Sequence, residues 1–503
     1  MSRFLTGVLN TVKRLSATTS VPRPRRAGLA VESLEDRLVP AGVWGWGDPP
    51  PASPWSYTVP SGHSQDTIIV NAIGSQLQVL DVSGGQVNTT TVSLTGVSSI
   101  TLTGGTGTNT FDVQSTPAGV PMTVKFTTAL DSALVGSNGS AQGVKGNVSF
   151  YGYNGSGTVT VDDSADTTAH SASLFNGALS GLAPASVFIN NLPSLVVKAN
   201  PSAGNSIQMV NSRTSANTFT GAPGKSTLGG GGVTLEVDNF FKVDAIGETT
   251  GDSATLSGST AGANTLSARY AATGLSGPGY SLEVDYFGHA DAIGATSRDV
   301  ANVSGLSGYC NESHVGEDPD GSVSGNIYSI ASTSLSDTEN AFWSPISSYA
   351  YWRSLRGFHG VTLNAGSAND FVMMSADFYS PCSFVGLANS AFLGGKGWAI
   401  QANAFAQVMA NGNPSSPSLM VSTPGDSTIY SAGQAGNGMT TPTGYVEGLG
   451  FGSSQHSTYA DLASEAQALN TLLTSLASQY AFPGIYWLTL TQPGSTATQT
   501  ITW

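Results

Sequence analysis

The sequence predicts an all-β fold, a right-handed parallel β-helix (solenoid) with rungs of about 23–24 residues. Three observations predict it. The first is a repeat: Leu228–Gly247 reads LGGGGVTLEVDNFFKVDAIG, and Leu275–Gly294 matches it at 12 of 20 positions. Leu393–Gly412 matches it at 8 of 20. The second is the spacing. Phe240, Phe287, Phe358 and Phe405 share one slot of the repeat at steps of 47, 71 and 47 residues. Two turns and three turns of a coil with about 24 residues per rung account for both steps. The alternative, a β-propeller, needs a 24-residue insertion to explain the longer step. The third is a period of two. Leu235 and Val237 alternate with Glu236 and Asp238, and Phe241, Val243 and Ala245 alternate with Lys242 and Asp244. That is the pattern of half-buried strands. Composition agrees, with 62 Gly and only 10% charged residues, a turn-rich β makeup.

Residues 1–41 form a separate basic segment. They carry seven of the 18 basic residues and three acids, which leaves 11 basic against 29 acidic residues beyond, a net −18. A basic leader on an acidic body reads as a processing or sorting segment. No apolar run in it is long enough to span a membrane. Its end, Glu32–Ala41 (ESLEDRLVPA), resembles the LEPR-XLL sorting motif at the N-terminus of planctomycete extracytoplasmic proteins. Leu34, Glu35 and Arg37 match the Leu-Glu-x-Arg core, and Leu38 opens a tail that departs from the double-leucine form. The resemblance implies export to the envelope or exterior and nothing about activity. The body is also similar in composition to the Gly-, Thr- and Asp-rich repeat regions of large surface proteins of that group.

Residues 42–64 are rich in Pro and Trp and read as an extended linker. Residues 65–455 carry the repeat. Asn205, Asp252 and Asp299 stand 47 apart in it, as do Asn217 and Asn264. The Gly-rich openings Gly229–Gly232 and Gly394–Gly397 read as corners. Ser99–Val113 reads strand, Gly turn, strand, and lacks the aspartates of a calcium β-roll. In residues 456–503, Leu462, Ala466, Leu469, Leu473, Leu476 and Tyr480 form a helical stripe, followed by two short strands, IYWLTL and TQTITW. The helix is expected to cap the last rung and cover its open edge.

Candidate chemistry is sparse. No zinc-protease helix, phosphate loop or nucleophile elbow is present, and the six histidines (His63, His170, His289, His314, His359 and His456) show no zinc spacing. No catalytic residue is assigned. Glu236, Asp238 and Asp244 recur as Glu283, Asp285 and Asp291, two rungs or about 10 Å on, a separation that inverting glycosidases use. They become Gln401, Asn403 and Met409 in the third copy, as a solvated face would drift. The segment Cys310–Gly321 concentrates Glu312, Glu317, Asp318 and Asp320, a hard-oxygen set that could hold calcium or simply a hydrated Pro-Asp-Gly turn. Cys310 and Cys382 could form a disulfide in an exported protein. These features point to a non-enzymatic exported structural or adhesive surface protein, met by cell-envelope or matrix components, including polysaccharide. The alternative is a carbohydrate-binding or carbohydrate-cleaving β-helix, for which Trp343, Tyr349, Tyr351 and Trp352 would supply aromatic surface. The net negative charge argues against nucleic acid.

Overall fold

The computed structural model describes the chain from residue 52 onward, apart from 331–348, most of 459–486 and short stretches elsewhere. The leader and its motif residues Leu34, Glu35, Arg37 and Leu38 lie outside the described residues, as does Trp343. The body is almost entirely strand, arranged in two long sheets dominated by parallel pairs. Sheet A has 19 strands, from Ser53–Thr58 at one edge to Ser453–Thr458 at the other. Sheet B has 20, from Gln86–Ser93 to Ser431–Gly433. One continuous apolar core lies between them, from Val59 to Val446. Strand after strand alternates buried and part-exposed residues, because successive side chains point to opposite faces. This is the solenoid-like, all-β architecture that the period of two predicts.

The winding has two regimes. From Val97 to Asp163 the chain alternates between sheets one strand at a time. Ile100 pairs with Met122, 22 residues on, and Met122 pairs with Val148, 26 residues on. Rungs near the expected length therefore exist here. Beyond Ser171 the expectation fails. The 47-residue period is one unit of five strands, not two rungs. In the unit starting at Thr218, three antiparallel strands of sheet B (Thr218–Ala222, Lys225–Gly230 and Val233–Asp238) form a meander. Lys242–Ile246 in sheet A and Ser253–Ser257 in sheet B complete the unit. The next unit puts its meander in sheet A, at Thr265–Arg269, Ala272–Gly277 and Tyr280–Asp285. The sheets take turns thereafter. Each meander is entered at its far strand. Thr265–Arg269 pairs with the later strand Val300–Ser304, while Tyr280–Asp285 pairs back with Lys242–Ile246.

The 71-residue step is the same unit with a longer meander, so the three-rung account is wrong. Asn264 and Asn311 still stand 47 apart, and the extra length falls between Asn311 and Phe358. There the strands lengthen to Cys310–Glu317, Val323–Ile330 and Tyr349–Phe358. The segment 331–348 joins the last two, where the other units use a turn such as Pro278-Gly279. The Phe slot is genuine: Phe240, Phe287, Phe358 and Phe405 are all buried. The residue before each, Asn239, Tyr286, Gly357 or Ala404, has a positive φ of 60–71°. That reversal starts the next strand one residue later than the alternation predicts, so Phe241 is exposed rather than inward. The Gly-rich openings do adopt positive φ at Gly231, Gly232 and Gly397, but as hairpin turns within meanders.

Both ends differ from expectation. Part of the expected linker is a strand: Ser53–Thr58 pairs in parallel with Val97–Thr103, and Trp55 and Tyr57 pack on the core. The two C-terminal strands are present as an antiparallel pair, Trp487–Thr491 with Thr498–Thr502. A capping helix is not supported. The stripe residues lie outside the described residues, and the described helical positions Gln467, Asn470, Thr471 and Thr474 are exposed. Trp487–Thr491 lies against Ser390–Gly395, inside sheet A rather than at its edge. That strand and its neighbour Cys382–Gly386 are buried on both faces. Among the described residues no helix is long and apolar enough to cross a membrane.

Candidate functional site

The recurring polar feature is a buried lock at the turns between sheets. Asn217 donates its backbone N–H to Asp252 Oδ1 at 2.7 Å. Asn264 does so to Asp299 at 2.8 Å, Asn311 to Asp370 at 2.9 Å and Asn109 to Asp131 at 2.8 Å. The other carboxylate oxygen accepts two backbone N–H groups from three and four residues upstream, such as Ala295 and Thr296 for Asp299. The Thr or Ser three residues upstream adds its hydroxyl. Burial pushes the Asp252 and Asp299 carboxyls up, but these hydrogen bonds outweigh it and hold both below the usual carboxylate range. The lock ties the far strand of a meander to the strand that later pairs with it. In the fifth unit, counting from the one that opens at Ser171, Cys382 and Ser416 take the two places, with Cys382 N–H to Ser416 Oγ at 3.0 Å.

The outer acids do not form the expected row. Because the meander changes sheet from unit to unit, Glu236 and Asp238 lie in sheet B and their repeat partners Glu283 and Asp285 in sheet A. Glu283 neighbours Asp244 instead, as its direct ladder partner. Each Glu has a lysine: Lys225 Nζ is 2.8 Å from Glu236 and Lys242 Nζ 3.2 Å from Glu283. Asp244 accepts from Gln208 Nε2 at 3.2 Å. Burial, then Asp244 and Glu283, push the Asp285 carboxyl up to about 6. Asp291 stays below the usual range because His289 Nε2 bonds it at 3.1 Å. His289 stacks flat on Trp352, centroids 4.2 Å apart, on the outer face of sheet B.

The expected calcium residues are parts of a hairpin. Glu312 lies within the strand Cys310–Glu317, five residues or about 16 Å of strand before Glu317. Its backbone pairs with Phe371 and Tyr328. Asp318 and Asp320 sit in the turn, where Asp318 accepts from the Ser322 and Ser324 hydroxyls and Asp320 from the Ser322 N–H and hydroxyl. Glu317 Oε2 accepts from the Asp377 N–H. The turn thus supplies hydrogen bonds to Asp318 and Asp320 from its own serines. Cys382 is a buried free thiol in sheet A, raised by that burial, while Cys310 opens a strand of sheet B. The Cys310 side chain lies outside what the structure describes.

One cluster was not read from the sequence. Asp163 ends the strand Thr158–Asp163, and Asp166 and His170 lie in the turn that follows. His170 Nε2 is 3.3 Å from Asp166 Oδ2 and 3.8 Å from Asp163 Oδ2. The three ligand atoms lie within 4.8 Å of one another. Gln142 Nε2 stands 3.3 Å from the same imidazole nitrogen and donates to the Leu182 carbonyl at 2.9 Å. A signal was available, since His170 precedes Asn217 by one 47-residue period. Comparison with known proteins finds no matching family model, no matching curated protein and no matching solved structure.

Proposed function

We propose that this protein is an exported structural or adhesive surface protein, its ladder wound right-handed, directed outward by the segment 1–41. The observation that carries this reading is the ladder itself. Two sheets of 19 and 20 strands enclose one core, and the repeated polar residues inside serve the Asn–Asp locks rather than a reaction. An extended, lysine-poor surface of Ser, Thr and Asn suits contact with envelope or matrix components, polysaccharide included. The experiment is fractionation and protease shaving of cells that make the intact protein. The wild-type protein is expected outside the cytoplasmic membrane, and a Glu35→Ala, Arg37→Ala variant inside. Equal distribution of the two removes the sorting motif from the argument; wild-type protein confined to the cytoplasm overturns the reading.

A second reading, a glycan-binding solenoid, is favoured by one observation: the flat His289–Trp352 pair beside Asp291 on a part-exposed sheet face. Aromatic faces beside carboxylates suit sugar rings. A glycan array read with wild-type protein and a Trp352→Ala variant decides it, and absence of any Trp352-dependent binding ends it.

A further inference from the structure

We infer that Asp163, Asp166 and His170 form a binding site for one divalent first-row transition-metal ion, of the kind Zn2+ represents. The argument begins with the repeat. His170, Asn217, Asn264 and Asn311 occupy one slot at successive intervals of 47 residues, and Asn205, Asp252 and Asp299 occupy the slot that answers it. In the next three units Asn meets Asp. In the first unit both residues are changed, and His170 donates its backbone N–H to Asn205 Oδ1 at 2.7 Å. The backbone half of the lock is kept while the side chain is released for other work. That side chain is an imidazole, and it points at two carboxylates.

The carboxylates are held as ligands are held. Asp163 is fully buried; its Oδ1 accepts the Ala141 N–H at 2.9 Å, and no hydrogen bond reaches Oδ2. In the locks of Asp131, Asp252, Asp299 and Asp370 the corresponding second oxygen takes two backbone N–H groups. At Asp163 it faces the imidazole from 3.8 Å, beyond hydrogen-bond reach. A buried carboxylate oxygen left so is costly unless a cation meets it. Asp166 repeats the arrangement: Oδ1 accepts the Thr168 N–H at 2.8 Å, and Oδ2 lies 3.3 Å from His170 Nε2. Each carboxylate thus has one oxygen fixed by backbone and one turned to a common point, the outer-shell support that orients metal ligands.

The spacing is close to what the ion needs, 3.3 Å from His170 to Asp166 and 3.8 Å to Asp163. Bonds of about 2.0–2.2 Å to N and O in tetrahedral geometry place ligand atoms about 3.3–3.5 Å apart. Calcium needs longer bonds and more oxygens, and an imidazole nitrogen selects transition ions over it. The side chains of His170 and Asp166 are 18% and 13% exposed, so water can reach an open position. Gln142 Nε2 at 3.3 Å from the imidazole nitrogen is the remaining polar neighbour. Its amide can present oxygen after a flip, at the cost of its bond to Leu182.

The test uses the full chain after chelator dialysis. Titration calorimetry with Zn2+, and Co2+ absorbance as a second readout, should give one ion per chain, undisturbed by millimolar Ca2+. His170→Asn restores the residue that the later repeats use. It should therefore melt like wild type in chelator yet bind at least ~10-fold more weakly. Asp166→Asn, at a part-exposed position, should lose affinity likewise and stands in if His170→Asn does not fold. Failure of the wild-type chain to take up Zn2+, Co2+ or Mn2+ overturns the site. So does binding that survives unchanged in both variants.

Discussion

At the scale of single residues, the molecule turns on what surrounds each buried carboxylate. Asp299 receives the N–H groups of Asn264, Ala295 and Thr296, the Asn264 amide and the Thr296 hydroxyl. Asp299→Ala strands those donors in the interior, so a loss of about 3 kcal/mol is expected in urea titrations. The acid response follows from the same bonds. The folded carboxyls of Asp252 and Asp299 take up protons at lower pH than unfolded ones. Their contribution is therefore present above about pH 4 and is lost as pH falls through the folded values. Asp285 has the opposite sign. Its folded carboxyl titrates at about 6, so it favours the folded state below pH 4 and less so as pH rises through 6. Asp285→Asn should raise stability by about 1 kcal/mol at pH 7, allowing for solvent screening at a part-exposed site, and by almost nothing at about pH 3, below both carboxyl values. Equal melting of the two proteins at pH 7 would show that neither burial nor the neighbouring acids disfavour its charge.

At the scale of elements, the reversal before each buried Phe is the unit's punctuation. Asn239, Tyr286, Gly357 and Ala404 hold φ near +60 to +70°, a conformation that costs non-glycine residues about 1 kcal/mol. The Tyr286 side chain is exposed, so Tyr286→Gly should stabilise by about 0.5–1 kcal/mol, partly offset by glycine's extra freedom when unfolded. Gly357→Ala should do the reverse, and calorimetric melting of the pair reads both. The strands around these turns were legible because Leu235, Val237, Leu282 and Val284 alternate with polar partners and are buried. The meanders were not legible. Alternation marks a strand's faces and says nothing about which strand lies beside it; a parallel neighbour and a hairpin neighbour leave the same pattern in Val233–Asp238. The metal-ligand cluster was missed for a related reason. Asp163, Asp166 and His170 match no spacing rule, and only the substitution of His for Asn in a repeat that is faint at that point gives them away.

At the scale of the whole ladder, the sequence carried the class and period but miscounted what a period contains. A step of 47 divides as readily into two short rungs as into five strands, and 71 is as close to three rungs as to one enlarged unit. The registers decide. Parallel partners beyond residue 171 stand 34–40 residues apart, or about 60 across the enlarged meander, instead of 24. Nineteen strands at about 4.8 Å give the body beyond residue 51 a sheet of roughly 85–90 Å along the hydrogen-bond direction. Small-angle scattering on that body should find a maximum dimension of at least that length. A value near 60 Å would mean that the sheets do not run on as one ladder.

The order in which the meanders are laid down is that of a backstitch: the thread goes forward past bare cloth, returns to fill it, and goes forward again. A plain running coil can be drawn out from its end one rung at a time. Here Thr265–Arg269 is gripped on one side by the strand that follows it and on the other by Val300–Ser304, from 35 residues on. Pulling the end frees nothing until a whole five-strand stitch lets go. Under shear or proteolysis such a ladder would thus fail in packets, and a single nick would leave both cut ends sewn in place.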